Sequence, residues 1–504
     1  MNHDAKRVAS AIGWNLSFVV VSVGVQIGTT MLLGRLLTPR DYGIFAFANS
    51  IVVFGTHLSQ RGLATTILRQ QVVSARDLGN AYVVAGILAI GLAVLTTVGS
   101  TILRLVNGVA FAEQADLLLF MSVPVIFQLM ATPSTSLLQR ELAMVRVNAI
   151  SVIGILVGNG GVAAVLAVHH WGAWSLAGGA AASSLVTLVL SLLLGRYAVS
   201  LGWYPRELRR LLVEAVAMNG LRALDVAWVQ LPLVVLGLRS PASLSGLYQR
   251  TQFVADVMLQ MTVWRVTGVL YAALASRGEG RSTSKALYRL TLLCLATLVI
   301  PIVAFVMIGA EPILGVLLGE NWKSGGWMLR LLIVAFGIST INQAAGMSLE
   351  LRARFVDRYL CSSAAVLSLV ALIVVTPSDD VLLIAAPPLG SMLIATLLLH
   401  WRIGERWSDL PEVLRLLRPG TALGVAALIG ALLGNEVAIR LSIQTQLSHL
   451  LLELLIAGIL CCLVALPILR LREMAPFVDL MSSFSPGLSS AFGLNRNTSN
   501  GGVS

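Results

Sequence analysis

The sequence predicts an all-α polytopic membrane protein of about fourteen transmembrane helices. The expected plan is two six-helix lobes related by a pseudo-two-fold axis along the membrane normal, plus two C-terminal helices. Three observations carry this. The 504-residue chain is 57% hydrophobic and only 12% charged, with mean hydropathy +0.85, whereas about 25% charge is usual in a soluble domain. The apolar residues gather in runs of membrane-spanning length. The basic residues sort to one side of those runs. The same composition excludes a disulfide-stapled secreted scaffold, a disordered chain and a nucleic-acid binder.

A membrane helix needs about 20 apolar residues. Fourteen runs qualify, at 11–34, 43–66, 80–103, 116–138, 147–168, 173–195, 211–237, 243–270, 286–309, 325–348, 360–376, 380–400, 420–435 and 450–470. The first is too long for the apolar core of a cleavable signal peptide. The thirteenth is short. A tight turn, Pro377-Ser378-Asp379-Asp380, separates the eleventh from the twelfth. The longest connections, 196–210 and 402–418, are too small to fold as a domain, and 476–504 reads as a disordered tail.

Alternating the runs from a cytoplasmic N-terminus places 24 Lys and Arg inside against 6 outside. The positive-inside rule then puts both termini in the cytoplasm. It also accounts for most of the net charge of +11 without a polyanionic partner.

An internal repeat sets the organisation. Thr38-Pro39 is followed by Gly43-Ile44-Phe45, and Ser240-Pro241 by Gly246-Leu247-Tyr248. A second landmark, Trp203-Tyr204-Pro205-Arg206-Glu207-Leu208 before helix seven, is echoed from Trp407 through Pro411-Glu412 before helix thirteen. The chain is therefore read as an N-lobe (1–202), a C-lobe (203–406), two extra helices (407–475) and the tail (476–504). An even helix number gives both lobes the same orientation, as in transporters with parallel repeats.

Charges inside membrane helices cost about 2.5–3.5 kcal/mol each on insertion scales and mark cavities or partners. Arg61 on helix two lies 18 residues beyond Gly43, and Arg265 on helix eight lies 19 beyond Gly246. Each is therefore about 27 Å of helix from its turn. A guanidinium keeps its charge and grips phosphate oxygens in pairs. Helix seven carries Glu214, Asn219, Arg222 and Asp225, the last three on one face. Helix eight adds Arg250 and Asp256, and Gln60 adjoins Arg61. The substrate-cavity candidates are Arg61, Arg222, Arg250, Arg265, Gln60 and Asn219. The ion-coupling candidates are Asp225, Asp256 and Glu214. Arg222 and Asp225 can equally pair with each other. Arg330, Glu350 and Glu453 complete the charges within or near spans, and the first two are close enough to helix ends to reach the interface.

Other features read as structural. Gly24/Gly28, Gly154/Gly158, Gly420/Gly424 and Gly430/Gly434 predict close helix contacts. Pro124, Pro133, Pro232, Pro301 and Pro387-Pro388 predict kinks. His169-His170 falls in an outer turn. Cys294, Cys361, Cys461 and Cys462 lie in apolar runs without metal-ligand spacing. No nucleotide-binding, zinc-protease or serine-hydrolase signature is present, so neither cofactor nor metal is expected.

The segment Leu33-Gly34-Arg35-Leu36-Leu37-Thr38-Pro39-Arg40-Asp41-Tyr42-Gly43-Ile44-Phe45, with Ser59-Gln60-Arg61-Gly62-Leu63-Ala64, resembles the first hairpin of Wzx-type polysaccharide flippases. The likeness is to the exopolysaccharide-exporter branch of the multidrug/oligosaccharidyl-lipid/polysaccharide exporter superfamily. It implies two lobes around a cationic cavity in a bacterial inner membrane. The implied activity is translocation of undecaprenyl-pyrophosphate-linked oligosaccharide, with a polymerase and co-polymerase as possible neighbours. The Arg-Gly at Arg61 is the one position carried over. The alternatives are a multidrug or cation antiporter of the same superfamily, whose cavity would need carboxylates, and a polytopic glycan polymerase or ligase.

Overall fold

A computed structural model describes residues 21–69, 74–141, 143–195, 220–275, 281–352, 354–376, 384–403, 410–441 and 445–469. These residues form helices and no strands. In chain order the helices are α1 (21–36), α2 (Pro39–Arg69), α3 (Ala75–Asn107), α4 (Ala112–Arg140), α5 (Met144–Val168), α6 (Ala173–Gly195) and α7 (Gly220–Arg239). There follow α8 (Ala242–Ala275), α9 (Arg281–Leu317), α10 (Gly326–Leu351), α11 (Phe355–Val375), α12 (Ala386–Ile403), α13 (Leu410–Arg440) and α14 (Gln446–Leu469). Among the described residues, ten helices are long and apolar enough to cross a membrane. The helices outside that ten include α7 and α8, which carry the intramembrane charges. The chain is a multi-pass membrane protein.

Two compact units make up the chain. The first takes Met1–Arg250, Leu317–Gly325 and Val370–Ile384, and the second takes Thr251–Val316, Gly326–Leu369 and Ala385–Ser504. Residues 196–219, 377–383 and 470–504, with the predicted starts of helices seven and twelve, the turn at 377–380 and the tail, lie outside the described residues.

In the first unit, small residues let backbones meet. The two repeated turns face each other. A Cβ on Gly43 would stand 1.6 Å from the Ala242 carbonyl oxygen, and one on Gly246 would stand 1.8 Å from that of Pro39. Each glycine thus receives the residue four before the other. The α2 and α8 starts touch backbone to backbone, a contact no other residue type permits. Nearby, Gly237 on α7 receives the Phe47 side chain of α2. Gly158 on α5 meets Gly179 and Ser183 of α6, the close contact expected there.

In the second unit the two other glycine pairs also find partners. Gly420 and Gly424 lie on Ala296 and Ile300 of α9, and Gly430 and Gly434 on Ala457 and Glu453 of α14. Charges there are paired. Arg330 meets Glu311 at 3.1 Å and donates Nε to the Met307 carbonyl at 3.0 Å. Arg354 and Arg402 both meet Asp357, at 2.6 and 2.9 Å. These pairs tie α9 to α10 and α11 to α12.

Three expectations need correction, and one feature was not foreseen. Among the described residues, Gly24 and Gly28 have nothing within 4 Å of a Cβ, because a small-residue pair permits a contact without supplying the partner. Helix thirteen is not short. It spans 31 residues from Leu410, so much of the connection read at 402–418 is helix. Glu412, Arg415 and Arg418 end an apolar count but are good helix formers. Pro387 and Pro388 open α12 within its first turn, where a missing N–H costs no bond. Finally, Leu156–Ala163 within α5 is π-helical, which no periodicity announced.

Gly43→Ala and Gly246→Ala are each expected to lower the unfolding midpoint in detergent sharply, by more than the ~1–3 kcal/mol of ordinary overpacking. Gly24→Ala should leave it unchanged or slightly raised. Circular dichroism melts of the purified full chain would check this.

Candidate functional site

The site grows from the turn between α1 and α2. Thr38 caps α2. The Asp41 carboxylate accepts from the Thr38 N–H at 2.9 Å and the Thr38 hydroxyl at 2.6 Å, and the Thr38 Oγ1 accepts from the Asp41 N–H at 3.4 Å. This reciprocal box, with Pro39 as first helical residue, fixes where α2 begins. Tyr42 then falls one turn in and is fully buried.

Two groups hold the Tyr42 ring. Trp322, from the short helix Glu320–Gly325, meets it edge to face at 5.3 Å between centroids. The Trp322 Nε1–H donates to the Gly34 carbonyl of α1 at 2.8 Å. The Arg250 guanidinium lies over the ring, with Cζ 3.9 Å from its centroid, a cation–π geometry worth roughly 0.5–2 kcal/mol. The Tyr42 hydroxyl is buried and has no hydrogen-bond partner among the described residues.

Tyr42 and Arg250 line a cavity of about 310 Å³ within the first unit. Its other described lining residues are uncharged and largely polar. Thr29 and Thr30 come from α1, Asn49 from α2, Gln128 from α4, Asn159 from the π-helical stretch of α5, and Ser183, Ser184 and Thr187 from α6. Several hydroxyls donate to their own helix. Thr187 bonds the Ser183 carbonyl at 2.8 Å and Ser184 the Ala180 carbonyl at 2.8 Å, leaving their oxygens as acceptors toward the cavity. The widened π turn places Asn159 in the wall, a use of such turns common at functional sites. Among the described residues the cavity therefore offers one fixed positive charge, Arg250, amid neutral donors and acceptors. That chemistry suits a polyhydroxylated ligand or an anionic group, and the volume is at the small end for ligand sites.

The predicted residues fall as follows. Arg250 lines this cavity. Gln60 lies on α2 and donates Nε2 to the Gln128 carbonyl of α4 at 3.2 Å, next to a cavity residue. Arg61 lies on α2, Arg222 on α7 and Arg265 on α8, their side chains outside the described ones. Asp225 is half-buried on α7 and Asp256 half-buried on α8. Glu214 and Asn219 lie outside the described residues. Sequence reasoning missed Tyr42, Asn49, Gln128, Asn159 and the α6 hydroxyls. Their one signal was spacing: Tyr42, Phe45 and Asn49 stand at i, i+3 and i+7, one face of α2.

Fold and site define a class: a polytopic, all-helical transporter-type membrane protein with a polar intramembrane cavity. The chain belongs to the polysaccharide biosynthesis protein family, whose profile matches residues 32–325. That match begins one residue before the Leu33 hairpin segment. A curated relative is the succinoglycan biosynthesis transport protein ExoT of Rhizobium meliloti (strain 1021). It is 27% identical over 347 residues, 67% of this chain and 68% of the relative. Among solved structures, the lipid II flippase MurJ in an inward closed conformation superposes with a TM-score of 0.62 at 12% identity. The superposition covers 90% of this chain and 98% of MurJ. An inward-facing multidrug resistance MATE family transporter aligns with a TM-score of 0.48 at 15% identity, over 80% and 96% of the two chains.

Tyr42→Phe is expected to leave the unfolding midpoint unchanged or higher, since the hydroxyl it removes has no protein partner. Trp322→Phe should lower stability by about 1–3 kcal/mol, because it orphans the Gly34 carbonyl. Parallel thermal melts of the two variants distinguish them.

Proposed function

We propose that this protein moves lipid-linked oligosaccharide repeat units, carried on undecaprenyl pyrophosphate, across the bacterial inner membrane for exopolysaccharide or lipopolysaccharide biosynthesis. The observation that carries the reading is a polar cavity lined by the cation Arg250, inside a membrane protein of the polysaccharide biosynthesis family. The naming of ExoT as a succinoglycan transport protein and of MurJ as a lipid II flippase points the same way.

In this mechanism Arg61, Arg222 and Arg265 would take the diphosphate or acidic sugars, since guanidinium pairs bidentately with such oxyanions. Arg250 and the amide and hydroxyl wall would take sugar rings. Asp225, Asp256 and Glu214 are the candidates for ion coupling. Residues 1–202 and 203–406 would act as two lobes that alternately expose the substrate, with helices 407–475 flanking them, 476–504 as a tail and both termini cytoplasmic. The polyprenyl chain needs no protein pocket, because lipid solvates it. A polymerase and co-polymerase would receive the translocated units.

Deleting the gene should abolish extracellular polymer and accumulate lipid-linked repeat units, and the wild-type copy should restore both. Arg250→Ala or Arg61→Ala, at wild-type protein level, should cut polymer by at least about tenfold, equivalent to ~1.4 kcal/mol. Arg250→Lys should fall between. Unchanged polymer in the deletion strain would refute the reading.

A further inference from the structure

Glu453 stands apart from the site described above. It sits two turns into α14, on an apolar helix whose only other ionisable groups are His449, Cys461 and Cys462. Its side chain is 2% exposed. One carboxyl oxygen, Oε1, is 3.1 Å from His449 Nδ1. The other, Oε2, is buried with no hydrogen-bond partner among the described residues. His449, one turn nearer the helix start, is 21% exposed.

The surroundings are built around this carboxyl. Gly434 of α13 abuts the Glu453 backbone, and Oε2 points at Gly309 of α9, 3.6 Å from where a Cβ would stand. The other charges on these packed elements are already engaged or remote. Glu311 on α9 pairs with Arg330, and Glu436 on α13 pairs with Arg440, each at 3.1 Å. Arg289 on α9 and Arg418 on α13 lie 20 and 16 residues along their helices from Gly309 and Gly434, roughly 30 and 24 Å. Cys461 is turned to the Leu423 carbonyl at 3.6 Å. Among the described residues, His449 is therefore the one group near enough to balance the charge on Glu453.

We propose that His449 and Glu453 form a proton-binding site that couples proton uptake to transport. A buried carboxylate with one unmatched oxygen is stable in an apolar bundle only when it carries a proton or faces a protonated imidazole. In this site the half-buried His449, one turn nearer the helix start, hands a proton to the buried Glu453. Each transfer moves one proton between Nδ1 and Oε1 and changes charge where α9, α13 and α14 touch through glycine. A carboxylate beside a ring nitrogen is poor coordination for sodium, which favours several oxygens. The proton is therefore the ligand assigned. The coupling half of the proposal rests on the transport reading given above; the binding half does not.

The test uses the full chain in proteoliposomes and the infrared stretch of protonated carboxyls, followed from about pH 4 to about pH 9. One carboxyl band should titrate in the wild type and vanish in Glu453→Gln. In His449→Gln its midpoint should move to higher pH, because the cation that favours the carboxylate is gone. Absence of such a band, or a midpoint indifferent to His449→Gln, overturns the site. In cells, Glu453→Gln at wild-type protein level should lose most of the polymer and the dependence of output on external pH. A titrating band with undiminished polymer overturns the coupling. If gene deletion itself leaves polymer intact, the transport reading fails, while the infrared result still decides the site.

Discussion

Backbone meets backbone where α2 and α8 begin, and much of the first unit follows from that contact. Gly43 and Gly246 each admit the carbonyl of the opposing first turn. Helices this close fix the side chains one residue before and four after the glycines. Tyr42 precedes Gly43 and Arg250 follows Gly246, so the same approach that excludes a Cβ brings the guanidinium over the phenol ring. The cap at Thr38 and Asp41 sets the register from one end. Trp322, reaching Gly34 from 288 residues away, locks it from another. Tyr42 and Arg250 also line the cavity, so the packing of this assembly places a charge in its wall.

Charge is met in two ways. Several arginines pair with carboxylates: Arg330 with Glu311, and Arg354 and Arg402 with Asp357. Such pairs lower the cost of burial and brace helix to helix. In the first unit, Arg250 rests on an aromatic face and looks into a polar space. A ring quadrupole lowers the cost of holding that charge among the helices.

Much of this was legible in the sequence. Runs of apolar residues gave the helices, because a membrane helix satisfies its backbone locally and needs only length and hydrophobicity. The [Ser/Thr]-Pro-to-Gly repeat marked the two turns that touch, and Arg250 was singled out by the cost of charge in an apolar run. Three things were not legible. The start of α13 at Leu410 was hidden by charges that end a hydropathy run but not a helix. The π stretch of α5 leaves no mark in the apolar pattern of Leu156–Ala163. The cavity wall depends on which faces of α1, α2, α4, α5 and α6 converge. Its asparagines, serines and threonines are individually too common in membrane helices to announce a site.

The most direct test of the account is leaflet exchange. The purified full chain would be reconstituted with a fluorescent undecaprenyl-pyrophosphate oligosaccharide, and access of a membrane-impermeant quencher would be followed in time. Protein-dependent exchange that slows at least about tenfold in Arg250→Ala, at equal reconstitution, is the predicted result. No protein-dependent exchange, across a panel of native glycolipids and with or without an imposed proton gradient, would contradict it.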